Sequence, residues 1–480
     1  MAMSSAIVYE IRTTATASNA NGGGFKTGAS GTDFSQQDAA QYNLTGVTTA
    51  AADAILLSAS AAADMVGNVA HITSGTNFTV GWYEIISVVA GVSITLDRNC
   101  TSAAGAGGVV NIGGAMSLAS TLDDDLFEAA VAGNIFYVKA GTYTFGEAIS
   151  VGAAGGASNP IKIIGYSTTR GDNPTGSTRP VFAQGATSVV FGANWDMYNI
   201  KGTGTGAAVG NLNTNSKAVN CLFINSSTTV DRTAITCSPD NLVMRCELIS
   251  YRGRALFTGA GVRALYNYIH DSDVGIRHAV TSIVAIIGNI IADNVTRGID
   301  IQAALTTGNV IASNTLYGAE NKRGTGINFI TGVTDVTVVN NTISGFVTGI
   351  THADTQSVGF DDYNNFFNNT NDVSAAGQWQ KGSNDIAVDP SFTTMAQLTG
   401  TTATTSGSVL TQSGGDFSTV TDNVDFLYLV SGTGITVGKY LITTHTATTV
   451  TLDIAPGTNA TADKVWQITT GHNFLPTGSI

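Results

Sequence analysis

The chain has 480 residues, 43% of them hydrophobic and only 11% charged, with 56 glycines and a formal net charge of −13. That hydrophobic share argues against disorder, and 21 Lys and Arg without a basic cluster argue against nucleic-acid binding. No apolar run reaches the ~18 residues of a membrane span, and the opening MAMSSAIVYEIRTT lacks the charged start and apolar stretch of a signal peptide, so synthesis in the cytosol is expected.

Residues 1–68 read as an N-terminal polar attachment segment. SNANGGGFKTGASGTDFSQQDAAQYNLTG is Gly-rich and holds little that could form a core, so it is expected to order only against something else. A β-module follows at 69–115. Its SGTNFTVGWYEIISVVAGVSITLD, from Ser74, recurs as SGTGITVGKYLITTHTATTVTLD from Ser431. Thr79-Val80-Gly81 matches Thr436-Val437-Gly438, Tyr83 matches Tyr440, and Thr95-Leu96-Asp97 matches Thr451-Leu452-Asp453. Apolar and polar residues alternate in both, so each is expected to be a small antiparallel module, the second at 426–468 within a C-terminal segment 395–480.

A short capping helix is expected over 116–133, where Leu118, Leu122, Leu126 and Phe127 recur at helical spacing and Gly133 stops the run. From 134 to 394 the chain repeats every 21 to 27 residues, each repeat marked by a small residue two places before a large apolar one. The marks fall at Asn199, Cys221, Cys246, Asn267, Asn289, Asn314, Asn341 and Asn365, and four are followed by a second mark, Gly275-Ile276, Gly298-Ile299, Gly326-Ile327 and Gly349-Ile350. Two marks imply two strands per coil. Such coils bury their apolar edges by stacking about 4.8 Å apart, and aligned asparagines can bond along the stack.

Cys100, Cys221, Cys237 and Cys246 have neither Cys-x-x-C spacing nor a histidine at ligand spacing, and read as buried thiols with no metal and no cofactor implied. Counting four places past the marks puts Asp271 and Asp293 on adjacent coils, near the ~5 Å separation of a retaining glycosidase pair. These are the candidate catalytic residues, with His270, Asp273, Arg254 and Arg277 in support. Calcium held by Asp271, Asp273 and Asp293 is a second reading. A third is structural: Asp271-Ser272-Asp273 suits a turn, Arg277 and Asp300 a surface ion pair, and His278 and His352 the interior. Gly359-Phe360-Asp361-Asp362-Tyr363 could stack a sugar or simply close the last coil.

The helix, the strand NIFYVKAGTYTF and the coils after it resemble the start of the pectin-lyase-like superfamily over roughly Ser117 to Phe392. That resemblance implies an all-β fold, a right-handed parallel β-helix with a capping helix, here flanked by two duplicated β-modules. The order of segments resembles the β-helical tailspikes and head spikes of bacteriophage. It implies a virion structural protein assembled in the host cytoplasm, a homo-oligomer (a trimer) whose other partners are virion proteins and host surface polysaccharide, with neither nucleic acid nor membrane. A polysaccharide-degrading enzyme of the tailspike type is the alternative, and a bacterial surface adhesin the second.

Overall fold

The computed structural model describes residues 8–13, 42–66, 69–113, 127–128, 130–145, 148–303, 308–318, 322–330, 332–333, 336–353, 359–375, 381–390, 397–422 and 425–469. Two compact units divide the chain: Met1–Asn225 with Arg232–Leu248 and Leu256–Asn267, and Ser226–Asp231 with Ile249–Ala255 and Tyr268–Ile480.

Among the described residues, short strands form three parallel sheets of 11, 10 and 10 strands, each taking one strand per coil. The fold is therefore an all-β parallel β-helix, but each coil carries three strands where the sequence implied two. The extra strand is hidden by the tightness of one corner. Val284–Ile287 and Ile290–Ala292 are separated by Gly288 and Asn289 alone, so VAIIGNIIA reads as one apolar run.

That corner turns on one residue in the left-handed region. In the first unit it is Asn199 (φ 60°), Asn220 (52°), Arg245 (54°) and Tyr266 (56°); in the second it is Gly288 (68°), Ser313 (56°), Asn340 (56°) and Tyr363 (59°). The residue after it points inward. Lys201 pairs with Leu222, and Thr342 with Asn365, so the inward column runs through Ile200 and Asn364. The marks placed at Asn199 and Asn365 are each one residue off, because an adjacent asparagine occupies the corner in one case and starts a strand in the other.

The asparagines of this column tie each coil to the one before it. Asn314 accepts the Asn289 N–H at 2.9 Å and donates Nδ2 to the Ile286 carbonyl at 2.9 Å. Asn341 repeats this on Asn314 and Ile311, and Asn364 on Asn341 and Val338. Corner backbone that would be costly to bury unpaired is satisfied in this way. Beside it, Ile276, Ile299, Ile327 and Ile350 are fully buried, and the glycine before each has no room for a side chain: a Cβ on Gly298 would lie 2.7 Å from the Gly326 carbonyl oxygen. His278 and His352 are buried.

In the first unit, Val8–Ile11 pairs in parallel with Ile135–Val138, so part of the 1–68 segment is a rung of the β-helix itself. Tyr9 and Trp195 stack on Phe136, and Phe127 packs edge-on to Phe136, Phe191 and Trp195. Most of the helix expected over 116–133 lies outside the described residues. All four cysteines are buried and free, and the Glu247 N–H donates to the Cys221 carbonyl, which sets Cys246 beside Cys221 on the neighbouring coil.

Each unit also holds a closed six-stranded antiparallel barrel. The first follows the order Tyr42–Thr49, Ile55–Leu57, Ser93–Leu96, Gly81–Val89, Val69–Phe78, Thr101–Gly113; the second runs Gln397–Ser406, Val409–Thr411, Thr449–Leu452, Gly438–His445, Phe426–Ser431, Asn459–Thr469. Identical strand order makes the two modules one fold. Both begin earlier than their matching sequences, because 42–57 and 397–411 share only a short Leu-Thr-Gly, at Leu44 and at Leu398, too brief to carry an alignment. Tyr83 donates its hydroxyl to the Thr79 carbonyl at 2.8 Å and Tyr440 to that of Thr436 at 2.6 Å. Asp97 and Asp453 accept the N–H of Glu84 and Leu441, each at 3.0 Å.

Candidate functional site

Asp271 and Asp293 follow strands whose His270 and Ala292 are paired, so the two acids occupy one corner on adjacent coils. Both have φ 53°, a conformation that aspartate tolerates because its short carboxylate can bond locally. Neither faces open water. Asp271 is 4% exposed and Asp293 3%.

The cover comes from the second barrel and from the loop around Arg323. Lys439 Nζ meets Asp271 Oδ1 at 2.7 Å and sits 3.8 Å from the centre of the Phe426 ring. Arg323 donates to Asp293 Oδ1 at 3.2 Å, donates Nε to the Gly318 carbonyl at 3.0 Å, and lies over the Tyr428 ring. His270 Nδ1 is 2.8 Å from Asp271 Oδ2, its ring stacked on Tyr268. Asp271, Asp293, Arg323, Phe426, Tyr428, Lys439 and Gln467 line a recess with room for a water-sized group. Burial pulls the Lys439 ammonium below its ordinary pKa, opposed by the charge of Asp271.

The other candidates lie apart from this recess. Burial pushes the Asp273 carboxyl up against the pull of Lys439 and Arg252. Arg254 pairs with Asp231 at 2.6 Å, and burial with the like charge of Arg277 draws its pKa down. Arg277 meets Asp300 at 2.9 Å, as their strand register requires. This is no plain surface pair: Asp300 is fully buried and also bonds Arg297, Gln302 and Asn328. Its oxygens are engaged on all sides, which makes it a knot between three coils.

At Gly359–Tyr363, Asp362 accepts the N–H and Nδ2 of Asn384 while Asp361 bonds Asn364, so both acids close the last coil. Phe360 and Tyr363 remain exposed. Among the described residues, no group of three or more His, Cys, Asp or Glu side chains is arranged to hold a metal ion.

Sequence reasoning brought together Asp271, Asp293 and His270. It missed Lys439, Phe426 and Tyr428, which belong to a module far along the chain, and Arg323. One signal was present: Lys439 is the basic residue beside the matched Tyr440.

No family model and no curated protein matches the chain. Solved structures do, at low identity. A pectate lyase, Pel9A, is 15% identical over 58% of this chain and 78% of its own, with a TM-score of 0.35. A mannuronic acid specific family 6 polysaccharide lyase from human gut microbiota is 13% identical over 51% and 78%, TM-score 0.34. PfbA, a surface adhesin of Streptococcus pneumoniae, is 13% identical over 56% and 88%, TM-score 0.32. The parallel β-helix itself is established by the chain's own sheet topology.

Proposed function

We propose that this chain is a structural, non-catalytic protein of a bacteriophage virion, a β-helical spike or spike-like appendage that assembles as a homotrimer with other virion proteins and contacts host surface glycans. The supporting observation is the burial of Asp271 and Asp293 beneath Lys439 and Arg323. A glycosidase pair needs a groove that admits a sugar ring and leaves its carboxyls free for acid and nucleophile work. Here each acid has a cationic partner, and Phe426 and Tyr428 close the space above. The pair therefore serves to fasten a barrel to a coil.

Three measurements test this reading. Mass spectrometry of phage particles purified from a strain encoding the chain should find it, and sedimentation at micromolar concentration should give a trimer. Incubation with capsule or lipopolysaccharide should yield neither new reducing ends nor absorbance from unsaturated products. Products that vanish in Asp271→Asn or Asp293→Asn while the fold survives would replace the structural reading with the enzymatic one.

A further inference from the structure

Both barrels meet their coils through the same face, and on that face an arginine sits in the same slot. In the first unit, Arg98 lies 4.3 Å over the Tyr83 ring with Nη1 3.0 Å from both Asp97 oxygens. The same Nη1 donates at 3.1 Å to the carbonyl of Thr168, in the turn after the coil strand Ile161–Tyr166. In the second unit, Tyr440 and Asp453 take the matching positions with the matching internal bonds, but the next residue is Ile454. The guanidinium there comes from the coil: Arg252 lies 5.1 Å over the Tyr440 ring and 3.9 Å from Asp453.

The rest of the face differs between the two units. In the first, the coil supplies the cation, Lys139, 2.5 Å from Glu84 and 3.0 Å from Asp97 on the barrel. In the second, the barrel supplies it as Lys439, and the coil supplies Asp271. With that polarity inverted, charge alone does not define the seam. What the two seams share is an aromatic face with a carboxylate at its edge, a shape that suits a planar guanidinium and not a compact ammonium.

We propose that this Tyr–Asp slot is a guanidinium-binding site, and that the arginine seated in it pins the barrel to its coil. The barrel supplies the arginine in the first unit and the coil in the second. Burial raises the Asp453 and Tyr440 pKa values and Arg252 opposes both shifts, as expected of a half-dry slot.

Hydrogen exchange on the full chain tests the proposal. Arg252→Ala should speed exchange over 438–445 about tenfold, the size of a partly desolvated cation–π contact, while the coil strands 254–258 and 274–278 keep their protection. Millimolar guanidinium, too dilute to denature, should restore protection by filling the emptied slot, and equal ammonium should not. Unchanged exchange in Arg252→Ala, rescue by both ions, or full protection in Arg252→Lys would each overturn the assignment. If Arg252→Ala loosens the coil itself, Asp453→Asn decides. It leaves the coil's sequence intact and keeps the oxygen that accepts the Leu441 N–H, so unchanged exchange over 438–445 in this variant overturns the proposal and faster exchange sustains it.

Discussion

Lys439 and Asp271 meet at 2.7 Å across 168 residues of chain, with side chains only 4% and 6% exposed. Removing one partner leaves the other charge buried without it. Lys439→Met is expected to cost about 3–5 kcal/mol, and the double variant Lys439→Met/Asp271→Leu to regain most of that loss. Equilibrium denaturation of the parent, both single variants and the double variant checks this.

Glu10 gives the first unit an acid dependence. It is buried, and although burial raises its pKa, Arg170, Arg12 and the Tyr166 hydroxyl together hold it below its ordinary 4.5. A depressed carboxyl contributes stability that is present above 4.5 and lost as pH falls through the lower folded value. Asp453 has the opposite sign: raised from 3.8, it contributes below that pH and loses its contribution as pH rises through the folded value. Thermal melts across the acid range should show the first unit weakening, and Glu10→Gln should flatten that limb.

The asparagine column should be intolerant of truncation. Asn314→Ala leaves the Asn289 N–H and the Ile286 carbonyl without their side-chain partner, at about 1–3 kcal/mol for a buried group left unsatisfied. Asn371→Ala, at an exposed position, should stay within about 0.5 kcal/mol. Denaturant midpoints of the two variants separate the cases.

One corner residue should be improvable. Tyr266 holds φ 56° with its ring exposed, at the corner that Gly288 fills elsewhere. Tyr266→Gly is expected to stabilise by about 0.5–1 kcal/mol, relief of left-handed strain outweighing the added entropy of the unfolded glycine. A rise in melting temperature would show it.

The β-helix was legible because Asn267, Asn289, Asn314 and Asn341 must each present an amide at the same point of a coil, and a requirement of that kind leaves a period in the sequence. The third strand was not, since a one-residue corner such as Gly288 leaves no turn signature. The neighbours of Asp271 were hidden for another reason: no local pattern announces a lysine that arrives with a barrel strand. The duplicated modules were found through Tyr83 and Tyr440, whose hydroxyls close a local turn, while their first two strands carry no such constraint and went unseen.

Asn314, Asn341 and Asn364 each reach back to the coil before, accepting through the oxygen and donating through the nitrogen, and Asn364 does so with its own N–H closed by Asp385 at 2.6 Å. The stack thus has a direction. A coil leaves a corner N–H and a carbonyl open until the amide of its successor completes them.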